Sequence, residues 1–259
     1  MSIAPWDIGL YAARAAERPY VVAVVGAASG IGRAAAAFLT DIGCAVAALD
    51  PAQDGLASLA AEKGAIRTRE LDALSEDSIA AGFAAVTAEL GPIDALVNCA
   101  GITGKTNLPA HEVPLADFDR VVALNLRAAL LLSRAVLPGM LERRYGRLLH
   151  VASIAGKEGN MGMASYSASK AGLIGLVKSM AKDYAESGVT VNALAPAVIR
   201  TPLVESLPQA TVDYMTQKIP MRRCGELREA AAMIAWIVSP ACSFTTGFTF
   251  DLTGGRATY

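Results

Sequence analysis

Tyr166 and Lys170 stand four residues apart in a stretch, Ser165–Ser187, whose apolar residues (Ala168, Ala171, Leu173, Ile174, Leu176, Val177, Met180) recur at helical spacing. Residues at i and i+4 share one helix face, so a phenol and an ammonium project side by side. A tyrosine pKa of about 10 is too high for efficient proton transfer at neutral pH. A neighbouring ammonium favours the phenolate and lowers that value, which makes Tyr166 usable as a general acid or base. Ser153, thirteen residues earlier, closes the apolar run Arg147–Ala152. There its hydroxyl can polarise a carbonyl or steady a forming alkoxide. Asn125 is a polar residue in the otherwise apolar Ala123-Leu124-Asn125-Leu126. It needs a partner if buried, and a water linking it to Lys170 would complete a proton path. Singly, each residue has an ordinary structural use as a surface pair, a turn serine or a hydrogen-bonding asparagine. Their joint occurrence behind a nucleotide-binding turn is what points to chemistry.

That turn is Gly26-Ala27-Ala28-Ser29-Gly30-Ile31-Gly32, which follows the β-branched run Val21–Val25 and opens a helical stretch. Gly26, Gly30 and Gly32 allow a tight bend and a close approach of backbone to pyrophosphate, while the helix N-terminus supplies unpaired N–H groups. Asp50 ends the next apolar run, Ala45–Leu49. A carboxylate there accepts hydrogen bonds from an adenosine ribose and repels a 2′-phosphate, so NAD is expected rather than NADP. The plainer role for Asp50 is to cap the helix after Pro51. Asp72 can similarly hold an adenine amino group or begin a turn.

These groups need a scaffold, and apolar runs of strand length alternate with helical patterns along the chain. Strands are expected at Val21–Val25, Ala45–Leu49, Ile66–Leu71, Ile93–Val97, Arg147–Ala152, Val189–Leu194 and Phe248–Leu252. Helices are expected around Ile31–Ile42, Leu56–Glu62, Glu76–Leu90, Leu115–Arg144 (with a break or kink at Pro138-Gly139), Ser165–Ser187 and Glu226–Val238, and a helical, Pro-punctuated insertion at Thr201–Lys218. Such alternation argues for parallel strands covered on both faces and joined by right-handed crossovers. The expected product is an α/β, doubly wound sheet in one domain spanning residues 20–259, preceded by an extension of residues 1–19, in which a short helix around Asp7–Glu17 is possible.

Composition narrows the function classes. The 259 residues carry 23 Lys plus Arg against 24 Asp plus Glu, and 53% are hydrophobic. Charge this balanced offers no field to gather nucleic acid or an anionic membrane. The longest uncharged window, Ala230–Phe250, is broken by Pro240 and Gly247, and residues 1–18 contain no continuous apolar segment of a secretory signal. Cys44, Cys99, Cys224 and Cys242 show no metal-ligand spacing, so no metal is expected and the thiols read as unbonded in a reducing compartment. A cytoplasmic protein is the expectation. His111 and His150 are not read as catalysts; His150 falls inside a strand and reads as a core or interface residue.

The set Gly26-x3-Gly30-x-Gly32, Asn98-Cys99-Ala100-Gly101, Asn125, Ser153 and Tyr166-x3-Lys170 resembles the short-chain dehydrogenase/reductase family. The resemblance implies a seven-stranded parallel Rossmann sheet of order 3-2-1-4-5-6-7, assembled as a homotetramer. It implies Tyr166 as acid/base, Lys170 binding the nicotinamide ribose and lowering the Tyr166 pKa, Ser153 orienting the substrate and Asn125 anchoring the relay. On the cofactor side it assigns Gly26, Ser29, Gly30, Ile31, Gly32 and Asp50 to the turn and ribose, and Asp72 and Ala73 to the adenine. Asn98, Ala100 and Gly101 would line the central segment, and Ile199 and Thr201 the carboxamide region. Two departures stand out: Cys99 where the family often has Asn, and Ala197 after Pro196 where it often has Gly.

A further resemblance concerns the substrate. Ala155-Gly156-Lys157-Glu158-Gly159-Asn160 and the tail Phe250–Tyr259 are similar to bacterial sugar-acid dehydrogenases, those oxidising 2-keto-3-deoxy-L-fuconate or its rhamnonate relative at C4. Such a substrate carries a carboxylate, and Lys157, Arg200 and Arg256 are cations placed where family topology puts substrate contacts, with Asn160 beside them. The tail can instead pack against a neighbouring subunit. Two other readings compete. A 3-oxoacyl-carrier-protein reductase would use the same catalytic residues, but with NADPH and a basic docking surface. A non-catalytic NAD(H)-sensing module would not need all four catalytic candidates.

Overall fold

The structure, a computed structural model, describes residues 18–258, apart from the side chain of Leu203. The helix expected around Asp7–Glu17 lies outside the described residues. Seven strands form one parallel sheet: β1 (Val21–Val25), β2 (Ala45–Leu49), β3 (Arg67–Arg69), β4 (Ala95–Asn98), β5 (Gly146–Val151), β6 (Val189–Pro196) and β7 (Thr249–Leu252). Their order is β3-β2-β1-β4-β5-β6-β7, with every pairing parallel. The strand order reverses between β1 and β4, which opens a crevice at the carboxyl ends of the strands, where an α/β sheet takes its ligand.

Strand side chains alternate between two cores. Val21, Ala23 and Val25 point to the layer of α3 (Glu76–Leu90), α5 (Ala128–Glu142) and α6 (Ala164–Asp183). Val22 and Val24 point to the layer of α1 (Gly30–Asp41), α2 (Gln53–Glu62) and α9 (Leu227–Ile237). Both faces are therefore buried, which is why the strands read as unbroken apolar runs. Buried Asp94 ties the starts of β1 and β4 together, accepting from Arg18 at 2.6 and 2.8 Å and from Val21 N at 3.0 Å.

The long helix expected over Leu115–Arg144 differs in detail. It runs as α4 (Leu115–Val122), one π-helical turn (Ala123–Arg127) and α5, so its irregularity sits around Asn125. Pro138 lies inside α5 without ending it. Pro138 and Arg134, whose carbonyl loses its helical donor there, are both exposed, and water can satisfy the vacated acceptor. Residues Leu115–Glu142 together are long and apolar enough to cross a membrane by length and composition; half of that window is buried within the protein. The expected strand Ile66–Leu71 shortens to β3 because an edge strand has one neighbour to pair with. The Thr201–Lys218 insertion forms α7 (Pro202–Glu205) and α8 (Gln209–Gln217), framed by a two-residue ladder between Ile199–Arg200 and Gly225–Glu226.

Candidate active site

A cleft of about 480 Å³ runs along the carboxyl ends of the strands. One half is built by the β1–α1 turn. A Cβ at Gly32 would lie 2.0 Å from the Gly26 carbonyl oxygen, so only glycine lets the turn close against the helix. Ser29, the N-cap of α1, makes no side-chain cap, and the first-turn N–H groups of the twelve-residue helix face the cleft instead of a hydroxyl. This donor set suits a pyrophosphate, and Gly26, Ser29, Gly30, Ile31 and Gly32 all line the cleft.

Asp50 lines it too, its carboxylate accepting from Ala28 N at 3.1 Å and Ala52 N at 2.9 Å. It thus braces the glycine turn and the approach to α2, and each oxygen keeps acceptor capacity for a ribose. Arg33, the cation that directly follows the glycine turn, is engaged with Gly55 O at 3.0 Å and Glu62 Oε2 at 2.9 Å. Asp72 and Ala73 form the far wall, where Asp72 also accepts from Leu74 N at 2.9 Å. The residues fit a dinucleotide with an unphosphorylated adenosine ribose.

The other half collects the expected chemistry. Ser153, after β5, and Tyr166 and Lys170, on α6, line the same cleft as the glycine turn. Ser153 Oγ accepts from Ala155 N at 3.1 Å, which orients the hydroxyl. Lys170 is buried, and its ammonium donates to Val151 O at 2.7 Å and stands 5.8 Å from the Tyr166 ring centroid. Burial pulls Lys170 down to about 8, with Cys99 acting in the opposite direction. Tyr166 does not follow the expectation: burial pushes its pKa above the ordinary tyrosine value, and the opposing influence is the Ser153 hydroxyl rather than the Lys170 ammonium. With the ammonium tied to a backbone carbonyl, desolvation of the phenolate dominates.

Asn125 and Asn98 lie behind the cleft wall. The π turn aims Asn125 at the loop after β4: its Nδ2 donates to Ile102 O and Ser169 Oγ, each at 2.9 Å, and its Oδ1 accepts from Ile102 N at 2.8 Å. A Cβ at Gly101 would sit 3.0 Å from Asn125 Oδ1 and 3.3 Å from Lys170 Nζ, so the two groups flank the same small space. Asn98 does not line the cleft as expected; its buried amide accepts from Ala100 N at 3.1 Å and holds Ala100 and Gly101, which do line it. Sequence reasoning missed Ser169, which takes the Asn125 amide and donates to Tyr166 O at 2.8 Å. It also missed Asp117, whose carboxylate accepts from Lys105 N at 2.8 Å and Arg120 Nη2 at 2.7 Å and so pins the same loop. Neither stands out from ordinary helix residues in one sequence.

Ile199 and Thr201 line the cleft as expected, and the Thr201 hydroxyl caps α7 through Val204 N. The expected substrate contacts Lys157, Asn160, Arg200 and Arg256 do not. Lys157 pairs with Asp251 at 2.7 Å, Arg200 with Glu226 at 3.2 Å, and Arg256 with Glu158 at 2.7 Å while donating to Asn160 Oδ1 at 3.1 Å. These cations fasten the tail and loops to each other, because each has a carboxylate of this chain closer to hand. Lys105, which sequence reasoning passed over, lies two residues beyond the cleft-lining Thr103, exposed and without a salt bridge among the described residues.

A family model described as enoyl-(acyl carrier protein) reductase matches residues 26–256. The chain is 46% identical over 252 residues to a 2-dehydro-3-deoxy-L-rhamnonate dehydrogenase (NAD(+)) of Sphingomonas sp. (strain SKA58), covering 97% of this chain and all of that one. It is 37% identical to a 3-oxoacyl-(acyl-carrier-protein) reductase of Vibrio cholerae serotype O1, over 91% of this chain and 96% of the relative. Among solved structures, an actinorhodin polyketide ketoreductase with NADPH superposes with a TM-score of 0.88 at 32% identity, covering 93% of this chain and 98% of the other.

Proposed function

Because the chain belongs to the short-chain dehydrogenase/reductase family, we propose that it is an NAD-dependent dehydrogenase of 2-keto-3-deoxy sugar acids, oxidising the C4 alcohol of 2-keto-3-deoxy-L-rhamnonate or its L-fuconate isomer to a ketone. The observation that carries the reaction is the convergence of Ser153, Tyr166 and Lys170 on the cleft that Asp50 closes at its other end. When bound, NAD supplies the acceptor for the hydride that leaves C4. Tyr166 Oη takes the hydroxyl proton, and Ser153 Oγ hydrogen-bonds the substrate oxygen as it becomes a carbonyl. Lys170 and Asn125 flank the small space beside Gly101, next to that proton's acceptor. Asp50 selects the unphosphorylated ribose.

The near full-length likeness to the Sphingomonas enzyme supports the substrate class. Since the three cations first considered are internally paired, we assign the substrate carboxylate to Lys105. The Asp117 oxygens near it are already taken by Lys105 N and Arg120. Exposed Phe248, just before β7, and Trp236 on α9 both pack edge-on against Phe250, an apolar patch that supports a homotetramer, and four cysteines without disulfides are consistent with the cytoplasm.

The likeness to the Vibrio enzyme favours a second reading, a 3-oxoacyl-thioester reductase. Asp50, and Arg33 held by Glu62, speak against NADPH. NAD reduction measured on 2-keto-3-deoxy-L-rhamnonate, its L-fuconate isomer, a neutral polyol and a 3-hydroxyacyl thioester separates the readings. The sugar acids are expected to turn over best, and a preference for the thioester with NADP would overturn the proposal.

A further inference from the structure

His150 is fully buried in β5, takes no part in the chemistry above, and has a hydrogen-bond partner at each ring nitrogen. Nε2 lies 3.1 Å from Ser133 Oγ, and Nδ1 lies 3.2 Å from Asn98 Nδ2. The directions follow from the partners. Ser133 already donates its hydroxyl proton to Ala129 O at 2.7 Å, so towards the ring it can only accept, and Nε2 must carry the hydrogen. Burial, reinforced by the Lys170 charge, pulls the imidazole down to about 4, so the ring is neutral and Nδ1 is a bare acceptor. It accepts from Asn98 Nδ2, and this leaves Asn98 Oδ1 facing Ala100 N. The opposite amide orientation would set Oδ1 against the Nδ1 lone pair and an NH₂ against the Ala100 N–H, two repulsive contacts in a buried place.

We propose that His150 is a positioning residue for cofactor binding: through the Ser133–His150–Asn98–Ala100 hydrogen-bond chain it fixes the orientation of the Asn98 amide and with it the cleft segment Cys99-Ala100-Gly101. Helix α5 thereby anchors the middle of the cofactor cleft from behind. The inference rests on that cleft being the NAD site.

Two conservative variants separate this role from simple packing. In His150→Asn the side-chain oxygen occupies the place of Nδ1 and can accept from Asn98, but it does not reach Ser133. In His150→Gln the amide reaches the place of Nε2 and Ser133, but it presents no acceptor to Asn98. NADH is titrated by fluorescence into wild type, His150→Asn, His150→Gln and His150→Leu, with thermal melts alongside. Wild type and His150→Asn are expected to bind within about threefold of each other. His150→Gln and His150→Leu are expected to lose about tenfold, the loss expected for one buried hydrogen bond, with KM for NAD rising more than kcat falls. Equal losses for the Asn and Gln variants, or affinities that merely track melting temperature, would overturn the proposal. Failure of wild type to bind NADH would instead overturn the reading of the cleft.

Discussion

The ammonium of Lys170 stands 5.8 Å from the centre of the Tyr166 ring and is tied to Val151 O. The pair is thus arranged with the buried ammonium over the ring and with both side chains lining the cleft. Burial raises the Tyr166 pKa and lowers that of Lys170, so both groups favour their neutral forms more than they would in water. Proton transfer at Tyr166 therefore leans on the Ser153 hydroxyl, which opposes the rise.

Asn125 spends its whole amide on Ile102 and Ser169. Asn125→Ala leaves the part-buried Ile102 donor and acceptor without their partner, which costs about 2 kcal/mol and lowers Tm by roughly 5 °C. Turnover should fall further than stability, by tenfold or more, because the Gly101 segment loses its anchor. A variant with a normal melting curve and normal kcat would show that the clasp is dispensable.

Cofactor choice has two locks. Asp50→Ala is expected to weaken NAD use by about tenfold without creating NADP use, since Arg33 remains held by Glu62. Adding Glu62→Ala removes the carboxylate that neutralises Arg33, and kcat/KM for NADP relative to NAD should then rise by a further factor of ten. An unchanged ratio in the double variant would remove both residues from cofactor selection.

Substrate charge is expected to be read by Lys105 rather than by the C-terminal arginine. Lys105→Ala should raise KM for 2-keto-3-deoxy-L-rhamnonate about tenfold with little effect on a neutral polyol. Arg256→Ala, which breaks the pair with Glu158, should act on both substrates alike. The reverse pattern would return the carboxylate to Arg256.

His150 makes stability depend on acid. Its folded pKa of about 4 lies below the ordinary 6.5, so the unfolded chain binds a proton that the folded one refuses between those values. Stability is full above pH 6.5 and is lost as pH falls through 4, by up to about 3 kcal/mol from this group. Denaturant titrations at pH 7 and pH 4.5 should show a smaller acid loss in His150→Asn than in wild type. Identical losses would assign the acid sensitivity elsewhere.

The sheet was legible because each strand is buried on both faces and so appears as an uninterrupted apolar run; β1, β2 and the helix Glu76–Leu90 fall where the pattern predicts. Ser153, Tyr166, Lys170 and the glycine turn meet in one cleft for a related reason: local spacing and the crossover rule bring them to the same sheet edge. The π turn at Asn125 was not legible, since nothing in Ala-Leu-Asn-Leu distinguishes a five-residue bonding pattern from an ordinary helical one. Proline at 138 does not break the helix, because its missing bond lies on a wet face. Charge partners were the least readable. Lys157 and Asp251 are 94 residues apart in the chain, and only the fold shows that they neutralise one another.

The most direct test of the catalytic assignment is the turnover of Tyr166→Phe on 2-keto-3-deoxy-L-rhamnonate with NAD, measured beside NADH binding by fluorescence. Removal of the single hydroxyl is expected to lower kcat by at least a thousandfold while NADH affinity stays within about threefold, since the reacting proton loses its acceptor but the ring still fills its place. A variant retaining a tenth or more of wild-type turnover would contradict the account.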